Sequence, residues 1–247
     1  MSGHSKWANI KRKKSANDAE KGKIFTKIAK EMQVAVKQGG ADPEGNFRLK
    51  LCIQKAKANN MPADNIKRCI EKAAGAGEGD NYEEFYYEGY GAGGVAILCA
   101  MMTENRNRSA SEIRYIFSRN HGNLGETGCV NWMFERKGEI VVAGNFDEDE
   151  LMMLALEHGA DDLSIQEDSA VIITASGNLE TLRAALLDGG YAVVGAEIMM
   201  LPGNTIEITD VETAANLMTL IEKLEDNDDV QEVFANYEIP DEIMEQL

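Results

Sequence analysis

EIVVAGNFDEDELMMLALEHGADDLSIQEDSAVIITASGNLETLRAALLDGGYAVVGAEIMM, residues 139–200, is the stretch that decides the fold. A short β-branched run over 139–143 reads as a strand. Over 147–158, Leu151, Leu154 and Ala155 recur at helical spacing and put one apolar stripe on a helix. A weak strand follows near 163–166, then a strand over 171–174, and a helix over 178–187 turns Leu179, Leu182 and Leu186 inward. A strand over 191–200 closes the segment. The order β-α-β-β-α-β is thus complete within one stretch, which predicts a ferredoxin-like domain.

On either side lie two incomplete halves. Upstream, 95–102 reads as a buried strand, Ile113, Ile116 and Phe117 as the inner face of a helix ended by Gly122, and 130–135 as a strand. Downstream, 205–209 reads as a strand. Asp210 then caps a helix carrying Ala214, Leu217, Ile221 and Leu224 on one face, and 230–237 returns as a strand. Each half is a lone β-α-β. Together they predict a second ferredoxin-like domain into which the first is inserted.

Further upstream the pattern is helical. Ile24, Ile28, Met32 and Val36 recur every four residues with Phe25 beside them, until Gly39-Gly40 stops the helix. Asp42-Pro43-Glu44 supplies an N-cap, a proline at the first helical position and an early acid for a second helix from Phe47 to the Asn59-Asn60 pair. Pro62 opens a third, with Ile66, Cys69, Ile70 and Ala73 on one face, ended by Gly75, Gly77 and Gly79. The fold class predicted is therefore α+β in three domains. A basic helical bundle spans 1–78, a discontinuous ferredoxin-like domain spans 79–136 with 205–247, and an inserted one spans 137–204.

Charge is segregated along the chain. Of 247 residues with a net charge of −17, the first 75 hold 17 Lys+Arg against 7 Asp+Glu, and the remainder hold 8 against 35. A basic module is joined to acidic ones, the footprint of a protein that meets nucleic acid at one end only. The longest apolar run, 95–102, is far too short for a membrane span, and no signal-peptide core is visible, so a cytoplasmic location is expected. Cys52, Cys69, Cys99 and Cys129 are widely separated without a Cys-x-x-Cys pair. With three isolated histidines they give no metal spacing, no cofactor is implied, and they read as small buried apolar residues.

The candidate nucleic-acid contacts are Lys6, Trp7, Lys11, Arg12, Lys13, Lys14, Lys21, Lys23, Lys27, Lys30, Arg48, Lys55, Arg106 and Arg108. Residues 1–17 carry no apolar stripe and are expected to form an exposed arm. Lysine and arginine that neutralise phosphates release counterions and make binding steeply salt-dependent. Trp7 suits stacking on an unpaired base or stapling the arm to the bundle. The same charges also suit a solvated basic face, or docking on the chain's own acidic domains. Asn105-Arg106-Asn107-Arg108-Ser109, between a strand and a helix, offers guanidiniums and backbone amides to phosphate, or simply a cap by Asn107 or Ser109.

Other patterns carry less. Gly89-Tyr90-Gly91-Ala92-Gly93-Gly94 has the spacing of a dinucleotide loop, but in this reading it precedes a strand and opens no helix. The loop from His121 to Gly128 reads as a structural turn, because no nucleophile or third partner stands beside His121 and Glu126. Glu222, Glu225, Asp226, Asp228 and Asp229 lack calcium-loop spacing and read as a solvated helix end or a docking surface for a basic protein. No nucleophile elbow, metal set or phosphate loop in its proper setting supports an enzyme.

Gly3-His4-Ser5-Lys6-Trp7-Ala8-Asn9-Ile10-Lys11 resembles the opening signature of the YebC family. Further stretches resemble it at Pro62-Ala63-Asp64-Asn65-Ile66, Tyr87-Glu88-Gly89-Tyr90-Gly91, Asn105-Arg106-Asn107-Arg108, Asn123-Leu124-Gly125-Glu126-Thr127-Gly128 and Leu224-Glu225-Asp226-Asn227-Asp228-Asp229-Val230-Gln231, so the resemblance covers the whole chain. It implies an N-terminal helical domain followed by two ferredoxin-like domains. It also implies one of two roles: a DNA-binding transcriptional regulator, or a factor that acts on ribosomes and helps translate proline-rich stretches. Phosphate contacts serve both. No helix-turn-helix with a legible recognition helix stands out, which favours reading of shape and charge over reading of sequence. The partners implied are DNA or ribosomal RNA, with ribosomal proteins or RNA polymerase subunits as basic surfaces for the acidic domains.

Overall fold

The structure, a computed structural model, describes residues 18–75, 81–166 and 168–247, without the side chains of 18–20. Three helices come first: α1 (Asp18–Gly39), α2 (Phe47–Ala58) and α3 (Ala63–Gly75). In α1 the expected stripe is buried, Ile28, Met32 and Val36 being nearly inaccessible. Asn46, not Asp42, is the N-cap of α2, its side chain accepting from the Leu49 amide at 3.1 Å. Its amide group also donates to the Ala35 and Gly40 carbonyls. One asparagine thereby satisfies the end of α1 and the start of α2.

The chain divides into two compact units. One comprises 35–74 and 136–201. Its sheet is built from β4 (Phe134–Ala143), β5 (Ala160–Gln166), β6 (Ser169–Ala175) and β7 (Ala192–Pro202), with α5 (Glu148–Glu157) and α6 (Leu179–Asp188) between them in sequence. The strand order β5-β6-β4-β7 places the first strand between the third and the fourth, which is the ferredoxin-like order. Ile140 and Val142 alternate inward from β4, opposite Ile172 and Ala170 of β6. Leu151 and Ala155 of α5 and Leu179, Leu182 and Leu186 of α6 close the core, and Phe47 and Leu51 of α2 pack against it.

The other unit comprises the residues up to Val34, 75–135 and 202–247. It contains β1 (Glu83–Tyr90), β2 (Ala96–Thr103), α4 (Arg106–Arg119), β3 (Asn123–Leu124), β8 (Ile206–Glu207), α7 (Val211–Glu225), β9 (Val230–Ala235), β10 (Tyr237–Glu238) and α8 (Asp241–Met244). Its four-stranded sheet has the order β3-β1-β2-β9, and all three neighbouring pairs are antiparallel. Ile113 and Phe117 of α4 meet Leu217, Leu220, Ile221 and Leu224 of α7 over Ile97, Cys99 and Met101 of β2. Asp210 caps α7 as expected, accepting from the Thr213 amide at 2.8 Å.

Two expected strands in this unit are corrected, and one that was not expected is added. Residues 131–133 form a 3-10 turn, and the strand that follows, β4, starts only at Phe134. The run 205–209 supplies only the two-residue β8, which pairs in parallel with β10 in a separate small sheet. The place beside β2 that a ferredoxin-like plan gives to its third strand is taken by β1, which precedes β2 in the chain and pairs with it over eight residues. The order is that of the ferredoxin-like plan with its third strand moved to the front.

β1 also changes the setting of the glycine run. Gly89 to Gly94 joins two antiparallel strands through a 3-10 turn. Gly89 has a packing reason: a Cβ there would lie 2.6 Å from the Asn123 carbonyl oxygen and 2.7 Å from the Phe117 ring. Its bare Cα lets β3 and Phe117 close onto β1.

Candidate nucleic-acid interface

Lys23, Lys27 and Lys30 stand at i, i+4 and i+7 on α1, so they share one face of the helix. All three reach the acidic stretch 225–229 that follows α7. Lys23 Nζ lies 3.0 Å from Asp226 Oδ1. Lys27 Nζ donates to the Glu225 carbonyl at 2.6 Å, one of the last carbonyls of α7, where the helix dipole is negative and a cation is stabilising. Lys30 Nζ donates to the Asp228 carbonyl at 2.8 Å and to Asp229 Oδ1 at 3.1 Å, and lies 5.6 Å from the Tyr82 ring centroid.

Asp229 is the centre of this cluster. Its side chain is almost wholly buried, and Arg108 Nη2 donates to Oδ2 at 2.6 Å. The hydroxyls of Ser109 and Thr103 lie 2.8 and 3.1 Å from the same oxygen. Burial alone would raise this carboxyl, but hydrogen bonds from Arg108, Ser109 and Lys30 outweigh it and hold the group down at about 2. The carboxylate therefore stays charged, and it ties the end of β2, the start of α4 and the start of β9 to α1.

The turn Asn105 to Ser109 is the first turn of α4. The cap is Asn105, whose side chain accepts from the Arg108 amide at 3.1 Å, in place of the expected Asn107 or Ser109. Arginines in a helix's first turn oppose its dipole. Each is offset by a carboxylate: Arg106 by Glu83 at 3.8 Å, with its guanidinium 4.2 Å from the Phe85 ring centroid, and Arg108 by Asp229.

The remaining candidates are dispersed. Arg48 donates to Gln38 at 2.9 Å, and Lys55 lies 3.7 Å from Glu197. Lys21 also has a partner. Lys6, Trp7, Lys11, Arg12, Lys13 and Lys14 lie outside the described residues. The structure thus brings Lys23, Lys27, Lys30 and Arg108 together, around carboxylates of the same unit. By contrast, Lys57 of α2 and Arg68 and Lys72 of α3, which the sequence reading passed over, are exposed and make no hydrogen bond or ion pair among the described residues. Their exposure at i and i+4 on α3 is the signal that could have found them.

A second buried carboxylate was also passed over. Glu88 of β1 is only 3% exposed, and it accepts backbone amides from Gly128 at 2.7 Å, Val130 at 2.8 Å and Asn131 at 2.7 Å. It fixes the turn after β3 and leaves Trp132 exposed at its end, with the indole donating to the Cys129 carbonyl at 3.1 Å. None of the four cysteines forms a disulfide, and burial raises the thiols of Cys69, Cys99 and Cys129, so these three stay in the unreactive thiol form. Among the described residues no group of three or more His, Cys, Asp or Glu is placed to hold a metal, and no helix is long and apolar enough to cross a membrane.

The fold and these clusters define an α+β protein of two helix-covered antiparallel sheets, in which a set of charged side chains fastens the first helix to the segment 225–229. Residues 5–76 match the model of the TACO1/YebC protein N-terminal domain, and residues 82–237 match that of the TACO1/YebC second and third domain, so the chain belongs to the TACO1/YebC family. A relative in Desulfitobacterium hafniense is 57% identical with 100% of this chain and 99% of its own length covered. Another in Moorella thermoacetica is 55% identical with 100% and 99% covered. Both are named probable transcriptional regulatory protein. The crystal structure of a conserved hypothetical protein of Aquifex aeolicus is similar at 45% identity and a TM-score of 0.83, covering 92% of this chain and 94% of that one.

Proposed function

We propose that this chain is a nucleic-acid-binding regulator of gene expression that acts, as its relatives are named, on transcription. The observation that carries the reading is the excess of cations in residues 1–75, among which Lys57, Arg68 and Lys72 are exposed without a carboxylate partner among the described residues. The chain's other charges oppose a polyanion, so phosphate meets this part first. The division into a basic helical part over 1–78, a discontinuous part over 79–136 with 205–247 and an inserted part over 137–204 belongs to the same proposal. So do the arm residues Lys6, Trp7 and Lys11 to Lys14 as phosphate and base contacts. In this scheme the acidic parts stay off phosphate and present themselves to basic protein surfaces of RNA polymerase or the ribosome.

A second reading, a ribosome-associated translation factor, is favoured by the pairing of Lys23, Lys27, Lys30 and Arg108 with the stretch 225–229. Cations fastened inside the molecule leave few for reading a DNA groove. Sedimentation with ribosomes across a salt series, beside titration of promoter fragments against bulk DNA, separates the two. Selective retention of particular promoters supports the transcriptional role. Salt-sensitive ribosome association with weak, uniform DNA binding supports the translational one, and binding to neither overturns the proposal.

A further inference from the structure

Helix α5 is apolar on two sides. Leu151 and Ala155 are buried in the core, with Leu154 packed against it. Met152, Met153 and Leu156 lie outside it and are 42%, 65% and 61% exposed. Met152 and Leu156 stand at i and i+4, and Met153 and Leu156 at i and i+3, so the three form one continuous stripe. Of the nine large apolar side chains left exposed among the described residues, three therefore sit together on a helix of ten residues. A helix that is apolar all round is ordinarily buried all round, and the outer side of this one is open.

The rim of the stripe is acidic. Glu148 and Asp149 lie one helical turn before Met152 and Met153, and Glu157 lies one turn after Met153. All three are exposed, and none has a side-chain hydrogen bond or ion pair among the described residues. Glu148 and Asp149 have a local reason to be there, since acids suit the first turn of a helix. Glu157 has none: it stands at the negative end of the dipole, in a last turn without lysine or arginine. Residues 137–204 hold 13 Asp+Glu against 2 Lys+Arg, and one of those two, Lys137, is paired with Asp161 at 3.0 Å. An apolar centre inside a charged rim is the anatomy of a protein interface, and methionines adapt their shape to what covers them. The sign of the rim selects the occupant. Phosphates and anionic headgroups are repelled, and the same face of a second copy would set carboxylate against carboxylate. An apolar stripe edged with lysine or arginine is complementary in both respects.

We propose that the outer face of α5 docks a basic amphipathic helix of a partner protein, with Met152, Met153 and Leu156 as the apolar contact and Glu148, Asp149 and Glu157 as its charged edges. This rests on the reading above, in which the acidic parts meet basic protein surfaces, and gives that contact an address. The probe is a labelled synthetic helix roughly three heptads long, with leucine at a and d and lysine at e and g, whose like charges keep it from pairing with itself. One control has the same residues shuffled so that the leucines form no stripe. Another keeps the stripe and replaces lysine by glutamate. Each is titrated with the full chain by fluorescence anisotropy, beside a titration of the same chain with nucleic acid.

The wild-type chain is expected to bind the striped basic helix at least about tenfold more tightly than the shuffled one, and the glutamate-edged helix not at all. M152S/M153S/L156S is expected to bring the striped helix down to the level of the shuffled one. E157Q is expected to weaken it at low salt and to make little difference at high salt. The three apolar side chains lie on the surface, so an unchanged thermal midpoint is expected, and M153S alone repeats the test at the most exposed position. Equal binding of striped and shuffled helices would mean that net charge alone is at work and overturns the site, as does a triple variant that binds like wild type. A wild-type chain that sediments as a dimer, and a triple variant that does not, give the face to a second copy and also overturn it. If the chain holds nucleic acid but shows no preference for the stripe, the docking site falls and the regulator stands. A preference for the stripe without nucleic-acid binding gives the reverse.

Discussion

Asp229→Asn removes one charge and almost no volume, and so isolates what the buried carboxylate contributes. Its carboxyl lies at about 2 against an ordinary 3.8. At about 1.36 kcal/mol for each tenfold change in acidity, this lowering corresponds to about 2 kcal/mol of stability. Breaking a fully buried ion pair costs about 3–5 kcal/mol. Arg108 is half exposed, and water can solvate it after the change, so the lower part of that range applies. Lys30, nine-tenths covered, also loses its partner.

The expectation is a loss of about 2–3 kcal/mol at neutral pH, read as a lower urea midpoint at unchanged m-value. The sign with pH follows from the lowered carboxyl. The unfolded chain takes up the proton near its ordinary value and the folded chain only lower, so the contribution is complete above about pH 5 and fades as pH falls through about 4 to 2. The difference between wild type and variant must therefore shrink on acidification, whatever the other carboxylates do to both. Equal midpoints at neutral pH, or a difference that persists undiminished at about pH 2, would refute the reasoning.

Two further substitutions probe the rest of the unit. Glu88→Gln puts an amide where three backbone amides donate, and a gap of about 2–4 kcal/mol in urea unfolding is expected, since each stranded buried donor costs about 1–3 kcal/mol; the Trp132 emission spectrum should shift as its turn loosens. Gly89→Ala drives a methyl into Phe117 and the Asn123 carbonyl, and calorimetry should show a cost of about 1–3 kcal/mol, whereas Gly40→Ala, which meets open space, pays only for its positive φ.

The inserted ferredoxin-like unit was legible because its first strand and its second helix carry an unmixed period. Ile140 and Val142 alternate, Leu179, Leu182 and Leu186 recur at three and four, and nothing polar interrupts either face. β1 was not legible, because its third residue from the end is a buried glutamate and its first two residues are acidic. Glu88 looks solvated until the three amides that satisfy it are in place, and they lie about 40 residues on. Without β1 the second sheet lacks a strand, and 205–209, which forms only the short β8, is the nearest candidate to fill the place.

The cations of α1 show the same limit in another form. Lys23, Lys27 and Lys30 are legible as one face of a helix, but their partners at 225–229 lie about 200 positions away, and charge complementarity alone cannot say whether a lysine meets a phosphate or its own chain's carboxylate. The acidic cluster, read as a docking surface for a basic protein, meets this chain's own basic helix.

The central claim, that this chain holds nucleic acid through its basic helices, is tested most directly by the salt dependence of binding with Lys57, Arg68 and Lys72 changed together to Gln. The wild-type chain should lose affinity steeply as salt rises, and the triple variant should bind more weakly with a log–log slope smaller by about two to three, since each phosphate contact contributes about 0.7–0.9. A slope unchanged by the three substitutions, or binding that ignores salt altogether, would contradict the account.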